Sequence, residues 1–158
     1  MNPLGEAIGE LCKIILPIDE EYYYGDNGSS VAVCTLSSLD LLKKFANSPL
    51  MEEISIVGRL LSENKGIDSI VDYLSTNLNV STLIVCGKEV WGHKAGHSLF
   101  QLYHNGVDKN NRIINSQSPD PYLTVSRTKI SFFQENVTLV NLINETDFDI
   151  ITKKIRNS

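Results

Sequence analysis

The residues able to do chemistry are crowded into one stretch of this chain. All three histidines, His93, His97 and His104, lie between residues 93 and 104. His93 stands in a glycine frame, with Gly92 directly before it and Gly96 three residues on. An imidazole in such a place is a candidate ligand or catalyst. The glycines let a flat, bulky partner come close to the backbone. His93 and His97 are four apart, a spacing that on a helix would put both on one face and let them share a metal ion. Gly92 and Gly96 put His93 in a loop instead, which speaks against a two-histidine zinc site. His104 comes just before a helix stop, Asn105-Gly106, where it can interact with the last carbonyls. Cys86 could be a nucleophile with His93 as its base, but its place at the end of an apolar run favours an inert buried thiol.

These residues need elements to hold them. Residues 82–86 (TLIVC) form a short, β-branched apolar run, the pattern of a strand buried on both faces. Gly87 ends it, and a loop with Gly92, His93 and Gly96 follows. Leu99, Leu102 and Tyr103 then recur at helical spacing up to Asn105-Gly106. In an open α/β sheet, ligands collect beyond the carboxyl ends of the strands, which is where this loop falls.

The rest of the chain repeats the alternation. Leu4, Ile8, Leu11 and Ile15 make a helical stripe that Pro17 ends. Residues 19–30 read as a long loop, whose tyrosines could cover a ligand or, the favoured reading, pin it to the body. Strands are expected at 30–36, 54–58, 112–115 and 137–143. Helices are expected at 40–47, around Ile67, Ile70, Val71 and Leu74, within 124–135, and at 147–155. Residues 116–121 (SQSPDP) read as a turn-rich loop. The fold class is α/β: a Rossmann-like three-layer domain with a mainly parallel five-stranded sheet. The 158 residues suit a single domain, 1–158.

Composition narrows the function. The chain is 42% hydrophobic and 21% charged, an ordinary globular mix, with a net charge of −5. A nucleic-acid binder would carry a basic face, so nucleic acid is not an expected partner. The three cysteines, Cys12, Cys34 and Cys86, lack CxxC spacing and fit a reducing compartment. No apolar run approaches the ~20 residues needed to cross a bilayer, and no signal peptide is evident. A soluble, cytoplasmic protein is expected. The phosphate-loop patterns GxGxxG and GxxxxGK[ST] are missing, as is the GxSxG nucleophile elbow.

The segment 86–99, Cys-Gly-Lys-Glu-Val-Trp-Gly-His-Lys-Ala-Gly-His-Ser-Leu, resembles the corrinoid-binding A subunit of tetrahydromethanopterin S-methyltransferase. That family has a strand ending in Cys-Gly, then Glu-Val, a Gly-His-x-x-Gly core and a Ser-Leu helix start. Further pieces agree in order: Val-Gly-Arg-Leu-Leu at 57–61, Glu-Asn-x-Gly-Ile at 63–67, Asn-Gly-Val-Asp at 105–108 and Arg-Ile-Ile at 112–114. The resemblance covers about residues 31–149. The chain departs from it at His97, where glutamine is more usual, and at 115–118, where Asn-Ser-Gln-Ser replaces a Gly-Ala-Lys-Gly type of loop. It also ends at Ser158 without the C-terminal membrane helix of the membrane-complex relatives.

The resemblance implies a cobamide-binding protein, holding cobalamin or a related corrinoid, that carries a methyl group on cobalt. His93 would be the lower axial ligand to cobalt, and its release would be coupled to methyl transfer. Other cobalamin proteins use Asp-x-His-x-x-Gly, where the aspartate orients the histidine. Trp91 stands at that place here, so the second ring nitrogen must find another partner or water, and a more switchable ligand is expected. The cofactor-contact candidates are Gly92, Gly96 and Ser98 around the histidine. Thr35, Ser37, Glu63, Asn64 and Ser116 join them at the polar ends of neighbouring strands, to meet the corrin amides and phosphate, and Leu60 is a further cofactor-binding candidate. The implied partners are methyltransferases that load and unload the methyl group. No residue looks fit to activate a methyl donor, so the chain is not expected to be catalytic alone. The rival readings are a cobamide store, a degenerate paralogue without cofactor, and an unrelated nucleotide-binding domain.

Overall fold

A computed structural model describes residues 22–158 of the chain. The expected helical stripe from Leu4 to Ile15 lies outside the described residues. Five strands form one sheet: β1 (Tyr22–Tyr24), β2 (Val31–Cys34), β3 (Ile56–Gly58), β4 (Thr82–Val85) and β5 (Thr138–Asn141), in the spatial order β1-β3-β2-β4-β5. β1 runs antiparallel to β3, and the other pairs are parallel. The sheet is therefore mixed, with one antiparallel pair at its edge. The helices among the described residues are α1 (Leu39–Ala46), α2 (Lys65–Thr76), α3 (Ala95–Asn105), α4 (Arg127–Asn136) and α5 (Phe148–Arg156), with a 3-10 turn at Pro49–Glu52.

Helices cover both faces, and the strands explain why. Every residue of β2 is buried, so its side chains feed two cores in alternation. Ala32, Cys34, Leu83 and Val85 face Ile67, Val71 and Leu74 of α2, Leu99 and Leu102 of α3, and Ile130 and Phe133 of α4. Val31, Val33, Val57 and Ile84 face Leu41, Leu42 and Phe45 of α1 and Ile151 and Ile155 of α5. Asp147 caps α5 by accepting from the Asp149 and Ile150 amides, and Ser126 caps α4 by accepting from that of Lys129.

Two expectations about the sheet need correction. The stretch 19–30 is not all loop, because Tyr22–Tyr24 pairs with β3 as the fifth strand. Its side chains are all exposed, so no alternation of burial marked it. The stretch 112–115 is not a strand of the sheet. It makes only isolated bridges, Val107 with Ile113 and Arg112 with Tyr122. Asn111 and Asn115, on either side, have positive φ (both 63°), so the chain turns before and after Ile113 and cannot extend. Ile113 is fully buried, which accounts for the apolar signal.

Candidate functional site

The parallel strands β2, β3, β4 and β5 all end at one side of the sheet, and the loops after them meet there. Residues 87–94, after β4, are held at their base. Gly87 has φ +77°, and a Cβ on it would collide with the Thr35 carbonyl oxygen, so only glycine passes. The Gly87 amide donates to the Glu145 carbonyl and its carbonyl accepts from the Asn144 amide, both at 2.7 Å. These bonds tie the loop to the one after β5.

Glu89 then builds the start of α3. Its carboxylate accepts from the amides of Val90 (2.7 Å), Gly96 (2.9 Å) and His97 (2.7 Å). The N-cap residue, Lys94, makes no side-chain cap of its own and sits in the left-handed region at φ 49°. Glu89 thus satisfies amides that a capping side chain would otherwise serve, and its negative charge suits a helix N-terminus. The Lys94 amide closes the turn onto the Val90 carbonyl at 2.9 Å. Trp91, Gly92 and His93 are left at its tip.

Glu63 aims the tip histidine. It lies in the loop after β3 and is 1% exposed. Its Oε2 is 2.8 Å from His93 Nδ1, and its Oε1 accepts from the Asp120 amide at 2.9 Å. An ionised carboxylate can only accept, so the proton between them sits on Nδ1, and in the neutral tautomer this selects, the lone pair is at Nε2. Burial works to raise the Glu63 pKa, but backbone amides, that of Asp120 among them, and His93 outweigh it and hold the carboxyl below its usual range. The His93 side chain is 54% exposed. Among the described residues, Nε2 makes no hydrogen bond. Glu63 is therefore the orienting partner that Trp91 could not be, supplied from a different strand end.

A buried hydroxyl chain fixes the backbone beneath the ring. Ser98 Oγ lies 2.5 Å from Ser116 Oγ and 2.6 Å from Ser118 Oγ, and Ser118 in turn donates to the His93 carbonyl. Because the Ser118 proton goes to that carbonyl, Ser98 must donate to Ser118 and Ser116 to Ser98. All three serines are buried. Lys94 Nζ reaches Gln117 Oε1 at 3.0 Å, and His97 Nε2 accepts from the Gln117 amide at 3.2 Å. His97 thus faces the 116–120 segment, with its Nε2 engaged by the Gln117 amide. Ser118 and Asp120 carried no signal in sequence beyond their turn-forming composition.

The other candidates have structural partners. Thr35 and Leu60 are buried. Ser37 Oγ donates to the Lys88 carbonyl at 2.7 Å. Asn64 accepts from the Lys65 amide at 2.7 Å, capping α2, and reaches Asp120 with its Nδ2 at 3.0 Å. Gly96 is packed inside, where a Cβ would meet Glu89 Oε2 at 2.9 Å and Leu36 and Ile143 at 3.1 Å. Gly92 is different: a Cβ there meets nothing within 4 Å, and its φ of +79° is what calls for glycine. The structure thus brings His93 and Gly92 together at the surface, with the buried Glu63 behind the ring. It sets Ser98, Ser116 and Gly96 beneath them. Cys86 is fully buried, with Sγ directed at the Cys34 carbonyl at 3.4 Å, and burial pushes its thiol pKa up. It is inert, as its position suggested.

The family model for the A subunit of tetrahydromethanopterin S-methyltransferase matches residues 15–158. The chain belongs to this family. The A subunit of the methyltransferase Mtx from Methanosarcina acetivorans is 35% identical over 142 residues, 89% of this chain and 68% of its own length. One form of the tetrahydromethanopterin S-methyltransferase A subunit from Methanothermobacter thermautotrophicus is 36% identical over 141 residues, 88% of this chain and 57% of its own. Its counterpart in Methanosarcina mazei is 36% identical over 138 residues, covering 86% of this chain and 55% of its own. The chain therefore spans between about half and two thirds of these family members. Among the described residues, no helix is long and apolar enough to cross a membrane.

Proposed function

We propose that the chain is a Rossmann-like cobamide-binding protein that carries methyl groups between partner methyltransferases. One observation carries the reading. His93 Nδ1 is tied to the buried Glu63 at 2.8 Å, which leaves Nε2 free at a half-exposed loop tip. A carboxylate behind an imidazole fixes its tautomer and direction and raises its basicity, the arrangement expected of a metal-ligating histidine. Among the described residues, no three His, Cys, Asp or Glu side chains gather into a metal cage. A corrin brings its own equatorial ligands and asks the protein for a single nitrogen, so the lone His93 fits it.

His93 would hold the cofactor, and Gly92 leaves the approach to it open. When bound, a cobamide supplies a cobalt centre able to accept and release a methyl group. The protein's part is to present or withdraw the His93 nitrogen. Glu63 sets its basicity, while the Ser98-Ser116-Ser118 chain holds the His93 backbone in place. Family members are named as subunits of a methyltransferase, which supports separate partners for loading and unloading.

The test is an absorption titration of the apo protein with hydroxocobalamin, followed by gel filtration. Colour retained at about one corrinoid per chain is the expected result, and no retained colour overturns the reading. In His93→Ala the cobalt(II) resonance spectrum loses its protein-nitrogen splitting. Its persistence would assign the ligand elsewhere.

A further inference from the structure

Trp91 is 95% exposed, the most exposed large apolar side chain among the described residues. It is the single tryptophan of the chain. A tryptophan can bury more area than almost any other side chain, and a lone exposed one is ordinary, so it is the setting of Trp91 beside His93 that makes it a candidate contact residue. Its setting is not loose. The Lys94-to-Val90 bond closes the turn on three tip residues, Trp91, Gly92 and His93. Glu89 pins one end of the turn through Val90 and the other through Gly96 and His97. Ser118 holds the His93 carbonyl. The rigid base therefore presents an indole and an imidazole two residues apart on one turn tip.

The separation is short. Two residues of chain span at most roughly 7 Å, and closing the turn shortens that further. Gly92, between them, adds no side chain, and the space over it is open. A planar macrocycle seated on His93 Nε2 spreads over its surroundings and comes within reach of the neighbouring indole. We propose that Trp91 is a contact residue for the corrin, covering part of the macrocycle or its side chains, and so sets affinity without ligating the metal. This rests on the cobamide reading of His93.

The experiment separates the two. Hydroxocobalamin is titrated by absorption into the parent protein, Trp91→Ala and Trp91→Phe, and the one indole N–H resonance of the parent is followed by NMR. Its cobalt(III) is low-spin and diamagnetic, so the resonance stays observable. The expected result is one corrinoid per chain in all three, with Kd raised about tenfold in Trp91→Ala, the scale of a lost aromatic stacking contact. Trp91→Phe should recover most of the loss. The indole resonance should shift and show cross-peaks to corrin protons. Equal Kd for parent and Trp91→Ala, with an unmoved indole resonance, overturns the Trp91 contact while leaving His93 as ligand. No retained corrinoid in the parent overturns both. Because Trp91 is so exposed, the variants should fold as the parent does.

Discussion

The base and the tip of the loop after β4 differ in almost every physical respect. At the base, Gly87 is wedged against the Thr35 carbonyl, and Glu89 takes three amide hydrogen bonds. At the tip, Gly92 has empty space around it and Trp91 is bare. Both glycines have positive φ, +77° and +79°, yet only the first is also confined by its surroundings. The difference teaches where stability and chemistry are kept. The base is over-determined so that the tip can be exposed and still hold one geometry, which a ligating or catalytic constellation requires.

Substitutions along this line should fall off steeply in their effect on folding, and chemical denaturation would read them. Gly87→Ala combines a forbidden backbone with a collision against main chain, so we expect a loss of about 4 kcal/mol. A loss under about 1 kcal/mol would mean the base is softer than its contacts imply. Glu89→Ala removes one acceptor from three amides at a helix start and should cost about 3 kcal/mol. Glu89→Gln, which keeps one carbonyl oxygen, should cost less.

Glu63 lies between base and tip in the contrast, because it is buried but serves the exposed ring. Glu63→Gln should cost about 1–2 kcal/mol, through weaker acceptance from Asp120 and His93. It also has a pH signature. The folded pKa is lowered relative to the unfolded chain. The stabilisation is therefore fully present above the ordinary carboxylate range and is lost as pH falls through the depressed folded value. Glu63→Gln should flatten the acid limb of a stability–pH profile measured against the parent. An unchanged limb would show that the carboxylate is not held by these bonds.

At the tip the effects on folding should be small. Gly92→Ala pays only for its backbone, about 1 kcal/mol. Trp91→Ala should stay within about 0.5 kcal/mol of the parent. If either destabilised as much as Gly87→Ala, the tip would be packed and the contrast would fail. Affinity for the proposed cobamide should order the sites the other way, with His93 and Trp91 mattering most and the base residues mattering through their support.

The sequence reading and the structure part company in instructive places. The strand at β4, the loop histidine and the helix α3 follow from local patterns, β-branched burial and helical spacing, which depend on nearest neighbours in the chain. The strand β1 was missed because its tyrosines are exposed, and strand signals rest on burial. The expected strand at 112–115 was a buried isoleucine between two asparagines at positive φ, a turn with an apolar anchor. Thr35 and Leu60 are at strand ends as expected, yet both side chains are buried within the protein.

By itself the sequence determined the α/β alternation, the inert buried Cys86 and the glycine-framed histidine that matches the family. Each of these is a matter of residue type and short spacing. Only the tertiary structure decided which group stands behind His93. Glu63 is 30 residues away along the chain and reaches it because β3 and β4 end at the same side of the sheet. The same holds for Ser118 under the His93 carbonyl. Hydrogen-bond partners separated by whole strands and helices leave no periodic trace in sequence, since the sheet and not the chain brings them together.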